Sequence, residues 1–409
     1  MTALRSGGAA ELLRIGAFRR VFASNVVNGF GSSIAPVALA FAVVGGGSGG
    51  SSLAVVLALN IVPTVVFLLY GGALADRVSR SRLLFAGRLS AALVQAAVAA
   101  VVAVDARATL LLGGLSFLSG AAAAISRPAQ QGILRQIVPE HLIQQANALA
   151  RFPQNAVRVA GPAVGGLVIS VSSPAVGLAV DAASFVLSAL LVLGLDLGSV
   201  TTARGTLRQD FAEGWSQFLS RTWMWTYTLS GTAVLSAWMA GNALLGPVVA
   251  ADRYHGAAGW GALQAGFAAG MVAGSGLALA WKPRRLLTVA LCVSCGLALP
   301  LAAMGAHAPF AIVMTAMLLA GLAMDIASVA WNVVLASHVE DRLQGRLFAI
   351  NAFGETAAIP LGYILVAVAL PVVSPGPLLL AAAALIVLAC LANLLVPQVH
   401  SIVRDPQHA

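Results

Sequence analysis

The chain has 409 residues, 59% of them hydrophobic and only 9% charged, with 42 glycines and a formal charge of +9. A water-facing surface needs about a quarter charged residues, so this composition excludes a soluble globular protein, and the excess of basic residues is then a matter of topology and not of nucleic-acid binding. Three cysteines exclude a disulfide framework, and the absence of HExxH, of Cys/His metal spacing and of a GxxxxGK[ST] loop leaves no metal site, cofactor or ATP site of its own to expect.

Apolar runs of membrane-spanning length fall at 21–44, 52–75, 83–104, 108–127, 149–171 and 174–195, then at 224–250, 257–281, 286–304, 308–331, 347–370 and 376–397. Lipid offers the backbone no hydrogen-bond partner, so runs of this length and Ala/Leu/Val composition read as twelve helices. They divide the chain into an N-terminal segment (1–20), a six-helix bundle (21–195), a linker (196–222), a second six-helix bundle (223–397) and a tail (398–409). Placing the gaps alternately on two sides puts 21 of the 23 basic residues on one side and only Arg107 and Arg253 on the other. That is the positive-inside pattern, with both termini and the linker cytoplasmic and an uncleaved first helix. In the linker, Leu207, Phe211, Trp215, Phe218 and Leu219 recur at helical spacing, which predicts an amphipathic helix on the membrane surface.

The halves repeat. Val138 to Leu149 (VPEHLIQQANAL) aligns with Val339 to Ile350 (VEDRLQGRLFAI) at an offset of 201, and RLL at Arg82 to Leu84 matches RLL at Arg285 to Leu287. Two parallel six-helix repeats are a transporter arrangement. The loop after the second span reads GGALADRVSRSR, Gly71 to Arg82, and resembles the G-x-L-x-D-R-x-x-R-R signature of the major facilitator superfamily. GPAVGG, Gly161 to Gly166, resembles the G-P-x-x-G-G core of its antiporter motif. LLRIGAFRRVF, RPAQQGILRQIVPEHLIQQANAL, DAASF, LLGPVVA and IPLGY resemble its macrolide- and siderophore-exporter branch, the transmembrane secretion effectors. The resemblance runs from about residue 11 to 397.

It implies an exporter of a small, amphipathic drug or metabolite working by alternating access and proton antiport. It also implies a multi-pass monomer in the bacterial cytoplasmic membrane, whose partners are its substrate, protons and lipid. An importer or facilitator on the same fold is the nearest alternative. An intramembrane enzyme would need paired aspartate motifs or a Ser/His dyad, and neither is found.

The resemblance gives Asp76 a gating role with Arg77, Arg80 and Gly72, against the plainer reading of a solvated turn acid; at offset 203 its counterpart is Leu279, so a reciprocal lock is missing from the second half. Gly161, Pro162, Gly165 and Gly166 form a small-residue packing surface, with Gly266, Gly270 and Gly274 of the eighth span as the expected matching face. Charges inside spans are costly. Arg158, about 10 Å deeper than Arg151 at 1.5 Å per residue, either snorkels or meets an anion. Asp181 reads as structural. Asp325, placed near the cytoplasmic end of the tenth span, is the first proton or substrate candidate, and Glu355 the second, free to pair with Arg158 or to take up a proton itself. Asn25, Asn28, Trp238 and Asn242 are read as substrate-cavity contacts, with ordinary helix packing as the alternative.

Overall fold

The computed structural model describes residues 11–45, 49–75, 80–104, 108–195, 207–281 and 283–402, and these form helices and turns without a strand. The first six spans are α1 (Gly16–Val43), α2 (Gly49–Ala75), α3 (Arg80–Ala103), α4 (Thr109–Gly132), α5 (Ile143–Val171) and α6 (Pro174–Val192). The linker supplies α7 (Leu207–Leu219). The remaining spans are α8 (Thr222–Arg253), α9 (Gly256–Ala280), α10 (Leu286–Gly305), α11 (Phe310–His338), the pair α12 (Asp341–Ala357) and α13 (Ile359–Ala369), and α14 (Pro375–Leu394); a short α15 (Pro397–Ser401) follows. Nine described segments are both long and apolar enough to cross a membrane, and α4, α5 and α9, of 24, 29 and 25 residues, complete the twelve.

Several helices extend beyond their apolar runs. The tenth span, expected to stop at 331, continues to His338, which moves Asp325 from the expected helix end to the middle of α11. The eleventh is not one helix. Pro360 has no N–H to continue the ladder and its ring collides with the carbonyl four residues back, so the helix stops at Ala357 and restarts at Ile359.

Two compact units result: Met1–Gly47 with Leu59–Thr202, and Ser48–Ala58 with Ala203–Ala409. In the first, α1 packs on α5 and α6, and α3 on α4 and α6. Gly165 sits where a Cβ would come within 3.1 Å of the Ile34 backbone, and at Gly161 a Cβ would overlap the Ser33 side chain, so α5 approaches α1 through its small residues. Gly166 is buried beside them. In the second unit α9 and α11 make the most extensive helix pair. There the glycine row of α9 is filled by α11 of its own bundle: Gly266 faces Met314, Gly270 the Leu318 carbonyl and Gly274 Leu322, while Gly321 answers against Phe267. The expected match between this row and the α5 glycines is corrected accordingly. The helices meet backbone to backbone, which uses the row fully within one unit. The start of α2 belongs to the second unit, where Ser51 Oγ donates to the Ala367 carbonyl at 3.1 Å.

The sequence repeat has a structural counterpart. Val138, Leu142 and Ala146 are buried beneath Leu12, which precedes α1, and Phe18 in the first turn of α1. At offset 201, Val339, Leu343 and Leu347 are buried in a cluster that includes Phe218 of α7. The linker helix therefore takes, in the second repeat, the place that Leu12 and the first turn of α1 hold in the first. Beyond that apolar seat, Arg346 Nη1 donates to Glu213 Oε2 at 2.6 Å and Gly214 lies against Arg346 and Ile350. Trp215 and Leu219 remain exposed.

Candidate functional site

The gating candidates lie at the edge of what is described. Asp76 and Arg77 fall outside the described residues; Gly72 lies in the last turn of α2, and Arg80 is the first residue of α3.

Inside the first unit two charged groups, Arg88 and Asp181, are sealed between helices. Arg88, eight residues into α3 and so about 12 Å along it, is only 3% exposed. Its Nη1 donates to the Ser24 carbonyl at 3.2 Å and its Nη2 to Asn25 Oδ1 at 2.6 Å, while Nε has no partner among the described residues. Ser24 and Ser188 exchange hydroxyl-to-carbonyl bonds of 2.9 Å, tying α1 to α6 beside it. Asp181 is 2% exposed and accepts from Ser32 Oγ at 3.2 Å, one helix turn from Ser184, whose hydroxyl donates to the Asp181 carbonyl. Asn25 is thus engaged by Arg88 and is not simply a free cavity contact. Asn28 Oδ1 is buried without a described partner. On α5, by contrast, Gln154, Asn155 and Arg158 are all exposed. An apolar groove of about 410 Å³ runs between α1, α5 and α6, walled by Val26, Phe30, Val157, Val180 and Leu187.

Arg88 is the residue that sequence reading missed. Its place inside the apolar run 83–104 marks it as a charge within a span, and the rise per residue puts it about 12 Å along α3.

In the second unit Trp238 is 1% exposed and stacked on Phe267 with ring centroids 5.2 Å apart. It is a core residue between α8 and α9, which corrects its reading as a cavity contact: a large apolar ring with an aromatic neighbour buries itself. Asn242 lies in a π-helical turn of α8, Ala240–Leu245, 7% exposed and with Oδ1 lacking a described partner. Single π turns inside α-helices are frequent at functional sites.

The two candidate carboxylates are both partly accessible. Asp325 Oδ2 accepts from Ser275 Oγ at 2.7 Å across the α9–α11 contact. Glu355 Oε1 accepts from Asn351 Nδ2 at 3.2 Å, and Asn351 Oδ1 in turn accepts from Thr228 Oγ1 of α8 at 2.6 Å. Gly231 leaves room for the Glu355 carboxylate, since a Cβ there would stand 2.9 Å from Oε1. The cysteines Cys292, Cys295 and Cys390 are free, and no described group of three His, Cys, Asp or Glu side chains could hold a metal ion.

Twelve spans in two parallel repeats, with hydroxyl- and amide-bound carboxylates in the second, define a transporter of the major facilitator type, not an enzyme. The chain belongs to the transmembrane secretion effector family, whose model matches residues 8–408. Macrolide efflux protein A of Streptococcus pyogenes is 22% identical over 356 residues, 85% of this chain and 88% of that protein. An uncharacterized MFS-type transporter of Bacillus subtilis, YfiS, is 30% identical over 134 residues, 33% of this chain and 31% of its own. Among solved structures, the nucleoside transporter NupG superposes with a TM-score of 0.75 at 12% identity, covering 93% of this chain and 99% of that one. A bacterial homologue of the iron transporter ferroportin in an inward-facing state gives 0.72 at 16% identity, covering 94% and 98%. Those two likenesses establish the fold.

Proposed function

We propose that this protein is a secondary active exporter of a small amphipathic compound, driven by proton antiport in the bacterial cytoplasmic membrane, monomeric and with both termini cytoplasmic. The similarity to a macrolide efflux protein over most of both chains supports the direction and the class of cargo. The observation that carries the mechanism is the pair of partly accessible carboxylates, Asp325 and Glu355, held in spans by neutral donors. A group able to alternate between charged and neutral forms is what coupling to protons requires. Asp325 is the first coupling site and Glu355 the second, with the exposed Arg158 as a competing cation. The walls of the α1–α5–α6 groove and the unsatisfied carbonyls of Asn28 and Asn242 suit a cargo with an apolar body and a few hydrogen-bond donors. Asp76 with Arg77 and Arg80 closes the cytoplasmic side, and Gly161, Pro162, Gly165 and Gly166 keep α5 tightly packed through the cycle.

A screen of antibiotics, dyes and siderophores in an efflux-deficient bacterium identifies cargo by lowered accumulation. Purified protein in proteoliposomes then exports it faster under an inward proton gradient. Asp325→Asn abolishes that acceleration while retaining substrate counterflow, which needs the transport path but no net proton movement; Asp181→Asn keeps both. Raised accumulation in cells would reverse the direction. Gradient-stimulated export by Asp325→Asn/Glu355→Gln would refute the coupling assignment.

A further inference from the structure

Glu355 sits in the last turn of α12, three residues before the break at Ala358. Side chains of α8 hold this turn from outside the helix. Thr228 Oγ1 reaches Asn351 Oδ1, and Asn351 Nδ2 reaches Glu355 Oε1. Gly231 makes space for the carboxylate, Gly354 lies against Thr228 Cγ2, and Ser236 Oγ donates at 3.0 Å to the Ala358 carbonyl at the break itself. Thr228, Gly231 and Ser236 recur at helical spacing, so they form a single stripe. Thr228 and Asn351 are buried, at 6% and 3% exposure, and Glu355 only partly so. An amide steadied in the interior by a hydroxyl is thus aimed at one reachable carboxylate.

We propose that Asn351 and Thr228 are positioning residues for proton binding at Glu355, and that the break at Ala358 is the hinge which that proton releases. The inference rests on reading Glu355 as a proton site. The ionised carboxylate accepts the Asn351 N–H and so ties the last turn of α12, through Thr228, to α8. A proton taken up on the carboxylate turns its oxygen into a donor and weakens that acceptor bond. The side-chain tie from this turn to α8 is then reduced to Ser236, next to a helix junction where Pro360 has already removed a backbone bond. Other titratable groups on the packed elements do not duplicate this role. Tyr227 on α8, within electrostatic reach of Glu355, is stacked face to face on Trp331 at 4.4 Å. Asp325 on α11 is bound by Ser275, and Arg346 on α12 points to Glu213 on α7. His338 on α11 is turned to its own helix and bonded there, and Tyr363 on α13 is buried.

Hydrogen–deuterium exchange on the purified full-length protein tests this without substrate or gradient. After correction for intrinsic exchange, residues 351–362 exchange faster near about pH 5 than near about pH 8, the range over which a protonation switch is usefully read. Glu355→Gln removes that pH dependence. Asn351→Leu moves the midpoint to higher pH by about one unit, about tenfold in proton affinity, because the carboxylate loses its donor. The isosteric Thr228→Val moves it the same way by less and serves where Asn351→Leu fails to fold. Persistent pH dependence in Glu355→Gln overturns the proton site. An unmoved midpoint in Thr228→Val and in folded Asn351→Leu overturns the positioning roles. Intact titration without gradient-driven export would leave this inference standing and refute antiport alone.

Discussion

In the first unit the buried charges, Arg88 and Asp181, are 3% and 2% exposed and bound by serine and asparagine groups of neighbouring helices. In the second unit Asp325 and Glu355 also lie within spans, yet each is partly accessible and each depends on a donor from a facing helix or the preceding turn. The same residue chemistry therefore serves two ends. A charge sealed between helices is held by one set of partners and specifies which helices meet, whereas a carboxylate that solvent can reach is able to exchange its proton with water during a cycle. Arg88 and Asp181 belong to the first kind. The coupling reading is confined to the second.

The units agree, however, where the repeated sequence lies, each seating an aromatic side chain from the first turn of its first span or from the helix before it. Phe18 is fully buried on Val138, Leu142 and Ala146, and Phe218 is 5% exposed in the cluster of Val339, Leu343 and Leu347. Truncating either ring leaves a cavity costing about 3 to 5 kcal/mol. Phe18→Ala and Phe218→Ala should lower thermal stability in detergent by similar amounts. A large loss for one and none for the other would break the equivalence of the two seats.

The next effect separates two glycines on one helix. A Cβ on Gly270 would collide with the Leu318 carbonyl, and backbone cannot swing aside as a side chain can; a Cβ on Gly276 meets nothing within 4 Å. Gly270→Ala should destabilise by about 1 to 3 kcal/mol through overpacking. Gly276→Ala should be neutral or gain up to about 1 kcal/mol from helix propensity. Equal melting temperatures for the two variants would show that α9 and α11 do not meet through this row.

Lipid is why so much of the fold was legible: it leaves a long apolar run only one conformation, so helix count and repeat order follow from hydropathy. Helix ends were not legible because apolar windows see only the part inside the bilayer; the last turns of α11, up to His338, are amphiphilic continuation. IPLGY was visible as a family stretch, and its Pro360 was sufficient to predict the break beside Glu355 had the backbone argument been applied. The glycine row at Gly266, Gly270 and Gly274 was legible as a packing face, but its partner was not, since spacing identifies a surface and never what covers it. Asp325 and Glu355 stood out because acids are conspicuous in apolar runs. Asn351 and Thr228 did not, because neutral polar residues at helical spacing carry no signal until a facing helix is known.

The smallest expected effect tests what holds α7 in place. Its ion pair, Glu213 with Arg346, is short at 2.6 Å but partly open to solvent, the two side chains being 42% and 34% exposed. Exposed pairs of this kind contribute about 0 to 1 kcal/mol, because water and salt screen the attraction and two long side chains must be ordered to make it. The apolar seat of Phe218 is excluded from both effects. Glu213→Gln should therefore leave α7 docked and shift thermal stability by less than about 0.5 kcal/mol, with the difference vanishing in high salt. Phe218→Ala should release the helix while leaving the ion pair's charges present. A fluorescence probe is already in place, since Trp215 lies on α7 within stacking distance of Phe218, ring centroids 5.8 Å apart. Against a background variant with the other tryptophans replaced by phenylalanine, its emission should change in Phe218→Ala and remain unaltered in Glu213→Gln. The opposite pattern would make α7 an electrostatic latch and end its equivalence with the start of α1, where Phe18 works through apolar contact with Val138, Leu142 and Ala146.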